Sequence, residues 1–181
     1  MKLTDTHSHL YDTAFDADRE EALARAAAAG VEHLLLPGID SESHGALFDL
    51  CRRHPGQCVP MMGLHPTSVN DNPHWREELA LAERYLTAPP EGIARFCAVG
   101  EIGRVVTSRK SKLADTVREM ELDDIVLETD CPYLTPAPHR GERNESAYVR
   151  FVCEKVAELK GLPPGEVAAA TTANAKRIFG I

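Results

Sequence analysis

Five short apolar runs punctuate the chain, at residues 3–6, 31–36, 59–63, 96–100 and 125–129. Most are continuously apolar instead of alternating, which is the pattern of strands buried on both faces of a parallel, helix-covered sheet. Their starts lie about 30 residues apart, the length of one strand–helix unit. Helical patterns fill the gaps. Asp16 stands as a cap before an alanine-rich run that Gly30 stops, and Ser41 caps a second run ending near His54, Pro55 and Gly56. Trp75, Leu79, Ala82 and Leu86 recur at helical spacing, residues 111–120 suit a fourth helix, and Tyr148, Val152, Val156 and Leu159 share one face of a fifth. Gly161 to Pro164 break the chain before a last helix over 166–178. No linker, repeat or charge block divides the chain, so residues 1–181 read as one domain.

Composition narrows this reading. With 181 residues, 43% hydrophobic and 27% charged, the chain can bury a core, and disordered or fibrous classes are excluded. A complete eight-stranded βα barrel usually needs about 250 residues and rarely fewer than about 200, so the chain is short for that fold. A net charge of −8 excludes a uniformly basic nucleic-acid-binding surface but leaves room for a local basic patch. Five cysteines without a C-x-x-C pair predict reduced thiols and a cytoplasmic protein. The polar start of the chain predicts no signal peptide, and no apolar run is long enough to span a membrane.

The chemistry sits at strand ends. The first run leads into Asp5-Thr6-His7-Ser8-His9, the fourth into Gly100-Glu101, and the fifth into Glu128-Thr129-Asp130. In parallel α/β folds the carboxyl ends of the strands face one site. Imidazoles at i and i+2 on extended backbone point to the same side, so His7 and His9 form a two-nitrogen clamp. Glu101 and Asp130 complete an N₂O₂ set suited to Zn²⁺, Mn²⁺ or a similar divalent ion.

Several segments then resemble the signatures of the TatD family of metal-dependent DNases, amidohydrolase-like βα barrels. They are Asp5 to Leu10, Gly63-Leu64-His65-Pro66, Val99 to Gly103, Leu127 to Leu134, Pro138-His139-Arg140-Gly141 with Arg143-Asn144-Glu145, and Thr172 to Phe179. The resemblance spans nearly the whole chain and implies phosphodiester hydrolysis of DNA in the presence of a divalent metal ion (Mg, Mn or Zn). It also exposes an internal deletion. In the family, the Gly-Glu-Ile-Gly motif is followed by Leu-Asp, then by two strands that each deliver a metal-binding histidine. Here Gly103 runs directly into Arg104-Val105-Val106-Thr107, and none of His33, His44, His54, His65, His74 and His139 follows a strand in the required position.

The fold implied is therefore α/β, an incomplete TIM-type βα barrel with about five core parallel strands. By carry-over, His7, His9, Glu101 and Asp130 form one metal site where the family has two, and Asp130 is also the general base. The family places His65 beside the substrate. Arg140 and Arg143 are either phosphate donors or ordinary surface ion pairs. Arg104, Arg109, Lys110 and Lys112 are either a phosphate track or a solvated helix start. Tyr133 and Trp75 either stack on a base or belong to core and rim. Glu128 is placed to orient a ligand. Two functions follow: a nuclease impaired by the loss of two histidines, or a catalytically silent relative that binds metal or phosphate or serves as an assembly subunit. DNA is the expected substrate and no membrane partner is expected. The open sheet edges predict a homo-oligomer.

Overall fold

The computed structural model describes residues 1–69, 72–100 and 113–181. Glu101, the basic cluster from Arg104 to Lys112 and the Gly103–Arg104 junction therefore lie outside the described residues. The centre is a parallel sheet in the order β1-β2-β3: β1 (Leu3–Asp5), β2 (Val31–Leu36) and β3 (Cys58–Pro60). Its register pairs Asp5 with Leu34 and Leu34 with Cys58. Leu34, Leu35 and Leu36 are fully buried, as a strand covered on both faces requires.

The runs at 96–100 and 125–129 lie along the two sides of this sheet as extended segments, not as assigned strands. Met62 N–H donates to Ala98 O (3.2 Å) and Gly100 N–H to Met62 O (3.0 Å), outside β3. On the other side, Thr6 N–H donates to Leu127 O (3.0 Å) and Asp130 N–H to His7 O (2.9 Å). Here Ile125, Leu127 and Thr129 are buried while Glu128 is exposed, so this run alternates.

Six helices surround the sheet among the described residues: α1 (Arg19–Ala28), α2 (Ser41–Arg53), α3 (Trp75–Thr87), α4 (Leu113–Glu119), α5 (Val149–Lys160) and α6 (Pro164–Phe179). Two expected caps move. Asp16 closes a 3₁₀ turn over Thr13–Phe15 that Asp12 caps through Ala14 N–H (2.7 Å), so the N-cap of α1 moves two residues on, to Asp18. Asp40, not Ser41, caps α2, in a reciprocal capping box with Ser43. Ser41 Oγ instead donates to Glu78 on α3 (2.6 Å). Helix α6 begins at Pro164, ahead of the expected Glu166, because a proline fits the first helical position without loss of a hydrogen bond. Gly161 ends α5 in the left-handed conformation that glycine adopts at little cost.

Histidines outside the site take structural places. His33, early on β2, donates from Nδ1 to Gly56 O (2.8 Å). His44, on the first turn of α2, is 4% exposed, stacks on Phe48, and has no hydrogen-bond partner at either ring nitrogen among the described residues. Burial pushes its pKa down, so the ring is neutral at pH 7. All five cysteines are free thiols. No helix among the described residues is long and apolar enough to cross a membrane.

Candidate metal centre

Two segments leaving the same end of the sheet build the site. The chain after β1 carries His7 and His9, and their Nε2 atoms lie 3.1 Å apart on one side of the extended backbone. The segment beside β1 brings Asp130, whose Oδ1 lies 3.5 Å from each of those nitrogens. A tetrahedral ion with bonds of about 2.0–2.1 Å holds its ligands about 3.3–3.4 Å apart, so the three edges suit one. Two imidazole nitrogens and a carboxylate are a donor set suited to a divalent ion such as zinc. Among the described residues this is the group able to hold a metal ion.

The network behind the ligands fixes their orientation. Tyr11 Oη donates to the buried carbonyl of Pro37 (2.5 Å) and lies 2.9 Å from His9 Nδ1. That oxygen has spent its only proton on Pro37, so it accepts from His9. This assigns the His9 proton to Nδ1 and leaves the Nε2 lone pair toward Asp130. Asp5, fully buried, accepts from Thr129 N–H (3.0 Å) and Thr129 Oγ1 (2.7 Å), tying β1 to the residue before Asp130. Burial pushes the Asp5 carboxyl up to about 6, against hydrogen bonds from Ser146, Thr129 and His7 that lower it. Cys131, buried beside Ser8 (3.1 Å), has its thiol pushed up to about 12 by desolvation, so it stays protonated next to the site.

The remaining expected residues are placed differently. His65 follows β3 and caps the 3₁₀ turn Pro66–Ser68, its Nδ1 accepting from Thr67 N–H (3.1 Å). Gly100 is hydrogen-bonded to Met62 and Gly38, while Glu101 lies outside the described residues. Arg143 makes a two-pronged ion pair with Asp18 (2.7 Å on each prong) and lies over the Phe15 ring (4.3 Å). Arg140 is exposed and makes no hydrogen bond or ion pair among the described residues. Tyr133 is 54% exposed and meets His9 edge-on (6.3 Å), whereas Trp75 is half-buried at the start of α3 under Arg76. Glu128 is exposed. Tyr11, Asp5 and Asn144 were not among the expected site residues. Each stands within a quoted motif or next to one, but only their contacts reveal a role.

The model of the family described as TatD related DNase matches residues 4–111 and again 103–180. YabD of Bacillus subtilis, an uncharacterized metal-dependent hydrolase, is 29% identical, with 99% of each chain covered. That alignment runs over 253 positions against 181 residues here, so the relative carries a stretch that this chain lacks. The 3'-5' ssDNA/RNA exonuclease TatD of Erwinia tasmaniensis is 23% identical, covering 96% of this chain and 98% of its own. Among solved structures, YJJV, a TatD homolog from Escherichia coli, superposes with a TM-score of 0.85 at 20% identity, covering 99% of this chain and 98% of that one. This likeness gives the barrel-type α/β fold.

Proposed function

Because the chain belongs to the TatD related DNase family, we propose that it hydrolyses phosphodiester bonds in DNA at a single divalent-metal site formed by His7, His9 and Asp130, with Glu101 as a further ligand. The reading rests above all on one observation: His7 Nε2, His9 Nε2 and Asp130 Oδ1 converge at 3.1–3.5 Å from parts of the chain far apart in sequence. His7, His9 and Asp130 would hold a divalent ion, which when bound would supply an activated water and polarise a phosphoryl oxygen.

The chain's own residues do the rest. His7 and His9 present Nε2 lone pairs, and Tyr11 keeps the His9 proton on Nδ1. Asp130 turns Oδ1 toward the imidazoles, and its other carboxylate oxygen accepts the proton of the attacking water. Arg140, exposed and without an ion pair among the described residues, offers a cation for the phosphate, and Tyr133 is an exposed ring beside His9 for a base. His65 stands at the substrate side, and Arg143 supports the loop through Asp18.

The barrel lacks the family segment expected between Gly103 and Arg104, and with it the two histidines of a second metal. Losing one transition-state charge stabiliser commonly costs about 10²–10³ in rate, so weak activity is expected. The shortened chain also favours a second reading, a silent relative that retains metal binding alone. A timed digest of single-stranded DNA with Mg²⁺, Mn²⁺ or Zn²⁺, run beside Asp130→Asn, separates the two. Metal-dependent cleavage that Asp130→Asn abolishes supports the nuclease. Equal rates in both proteins refute the assignment of Asp130, and no cleavage in either selects the silent relative.

A further inference from the structure

Asp130 and Leu134 are the two non-glycine residues among the described residues with positive φ, each at 57°. A side chain disfavours this conformation, in leucine more than in aspartate, and it persists where the surroundings fix it. The carbonyl immediately before each of these residues is held by one side chain. Asn144 Nδ2 donates to Thr129 O (2.8 Å) and to Tyr133 O (2.5 Å). Its Oδ1 accepts from Glu145 N–H (2.9 Å), and its own N–H donates to Pro132 O (3.1 Å). Asn144 is 0% exposed, and this pattern fixes which way its amide faces. Its neighbour Glu145 is anchored by Arg25 of α1 (Nε to Oε2, 2.8 Å).

The Thr129 carbonyl and the Asp130 N–H belong to one planar peptide. Asn144 pins the carbonyl end, and His7 O pins the N–H end (2.9 Å). With that plane held at both ends, and the next peptide held by the His9 N–H donating to Cys131 O (2.8 Å), φ of Asp130 stays at 57° and the direction of its Cβ is set. We infer that Asn144 is a positioning residue that aims the Asp130 carboxylate at the histidine pair by clamping the 129–134 loop in its strained form. The inference builds on the metal-site reading, and the test separates the two.

Zn²⁺ affinity is measured by competition for the wild type, Asn144→Ala, Asp130→Ala and the double variant, and hydrogen exchange is followed in the metal-free proteins. Asn144→Ala should weaken Zn²⁺ binding about 10–100-fold, as loss of a partner that orients a ligand does. Because the clamp acts through Asp130, the double variant should bind no more weakly than Asp130→Ala alone. In the metal-free protein, peptides covering 129–134 should exchange faster while β1 stays protected. Losses that multiply in the double variant, or unchanged exchange in the loop, overturn the inference. A wild type that binds no Zn²⁺ refutes the metal-site reading, and the exchange arm still decides the clamp. Should Asn144→Ala not fold, the comparison is made in a Leu134→Gly background, where glycine removes one of the two strained positions.

Discussion

Replacing Tyr11 by Phe removes one oxygen and tests the orientation of His9. Tyr11 is 3% exposed and His9 is 3% exposed, so water reaches neither readily. The substitution deletes the bond from His9 Nδ1 (2.9 Å) and the bond to Pro37 O (2.5 Å). A buried carbonyl deprived of its donor costs about 1–3 kcal/mol. A loss of about 2 kcal/mol in a domain of this size lowers the melting temperature by about 4–8 °C. Metal affinity carries a separate signature, since a ligating histidine that loses its orienting partner typically binds metal about 10–100-fold more weakly. Thermal unfolding of the metal-free protein reads the first effect, and Zn²⁺ competition with a chelating dye reads the second. A lowered melting temperature with unchanged Zn²⁺ affinity refutes the argument: Tyr11 would then support packing only.

Three further outcomes follow from the same structure. His7→Ala combined with His9→Ala should abolish stoichiometric metal binding; calorimetry showing one equivalent bound with wild-type affinity places the site elsewhere. Asp18 is held well below its ordinary carboxylate range by hydrogen bonds from Arg143 and then Arg25. A depressed folded-state pKa stabilises above about pH 4 and is lost as acid protonates the group. Asp18→Asn should therefore flatten the fall of melting temperature below about pH 4, and an unchanged acid slope contradicts the pairing. His44→Leu replaces two unpartnered buried nitrogens by an apolar side chain of similar size. It should stabilise the protein by about 1 kcal/mol. Because burial pushes the His44 pKa below 6.5, the gain should grow as pH falls through that value. Destabilisation at pH 7 means the ring has a partner.

Much of the architecture was legible in the chain because it depends on neighbours a few residues apart. The apolar run Val31 to Leu36, the stop at Gly30 and the break from Gly161 to Pro164 are local signals, and the elements formed where they indicated. The His-x-His clamp was legible for the same reason, since period-2 backbone puts His7 and His9 on one side whatever surrounds them. Caps were read less well. Asp16 and Ser41 have the right chemistry, but Asp18 stands at the N-terminus of α1 and Asp40 caps α2, and local composition does not rank them.

Local chemistry thus accounts for β1, β2, the helices and the His7–His9 pair, while two of the five expected strands run as extended segments. The long-range partners come from the fold. Register between β1 and the segment beside it brings Asp130 within 3.5 Å of both imidazoles. Packing of α1 under the last loop commits Arg143 to Asp18 instead of leaving it in solvent. Closure of that loop turns Asn144 into a clamp on two carbonyls. Each of these pairings joins residues whose separation along the chain carries no periodic signal, so only the folded register, with every buried polar group seeking a partner, selects them.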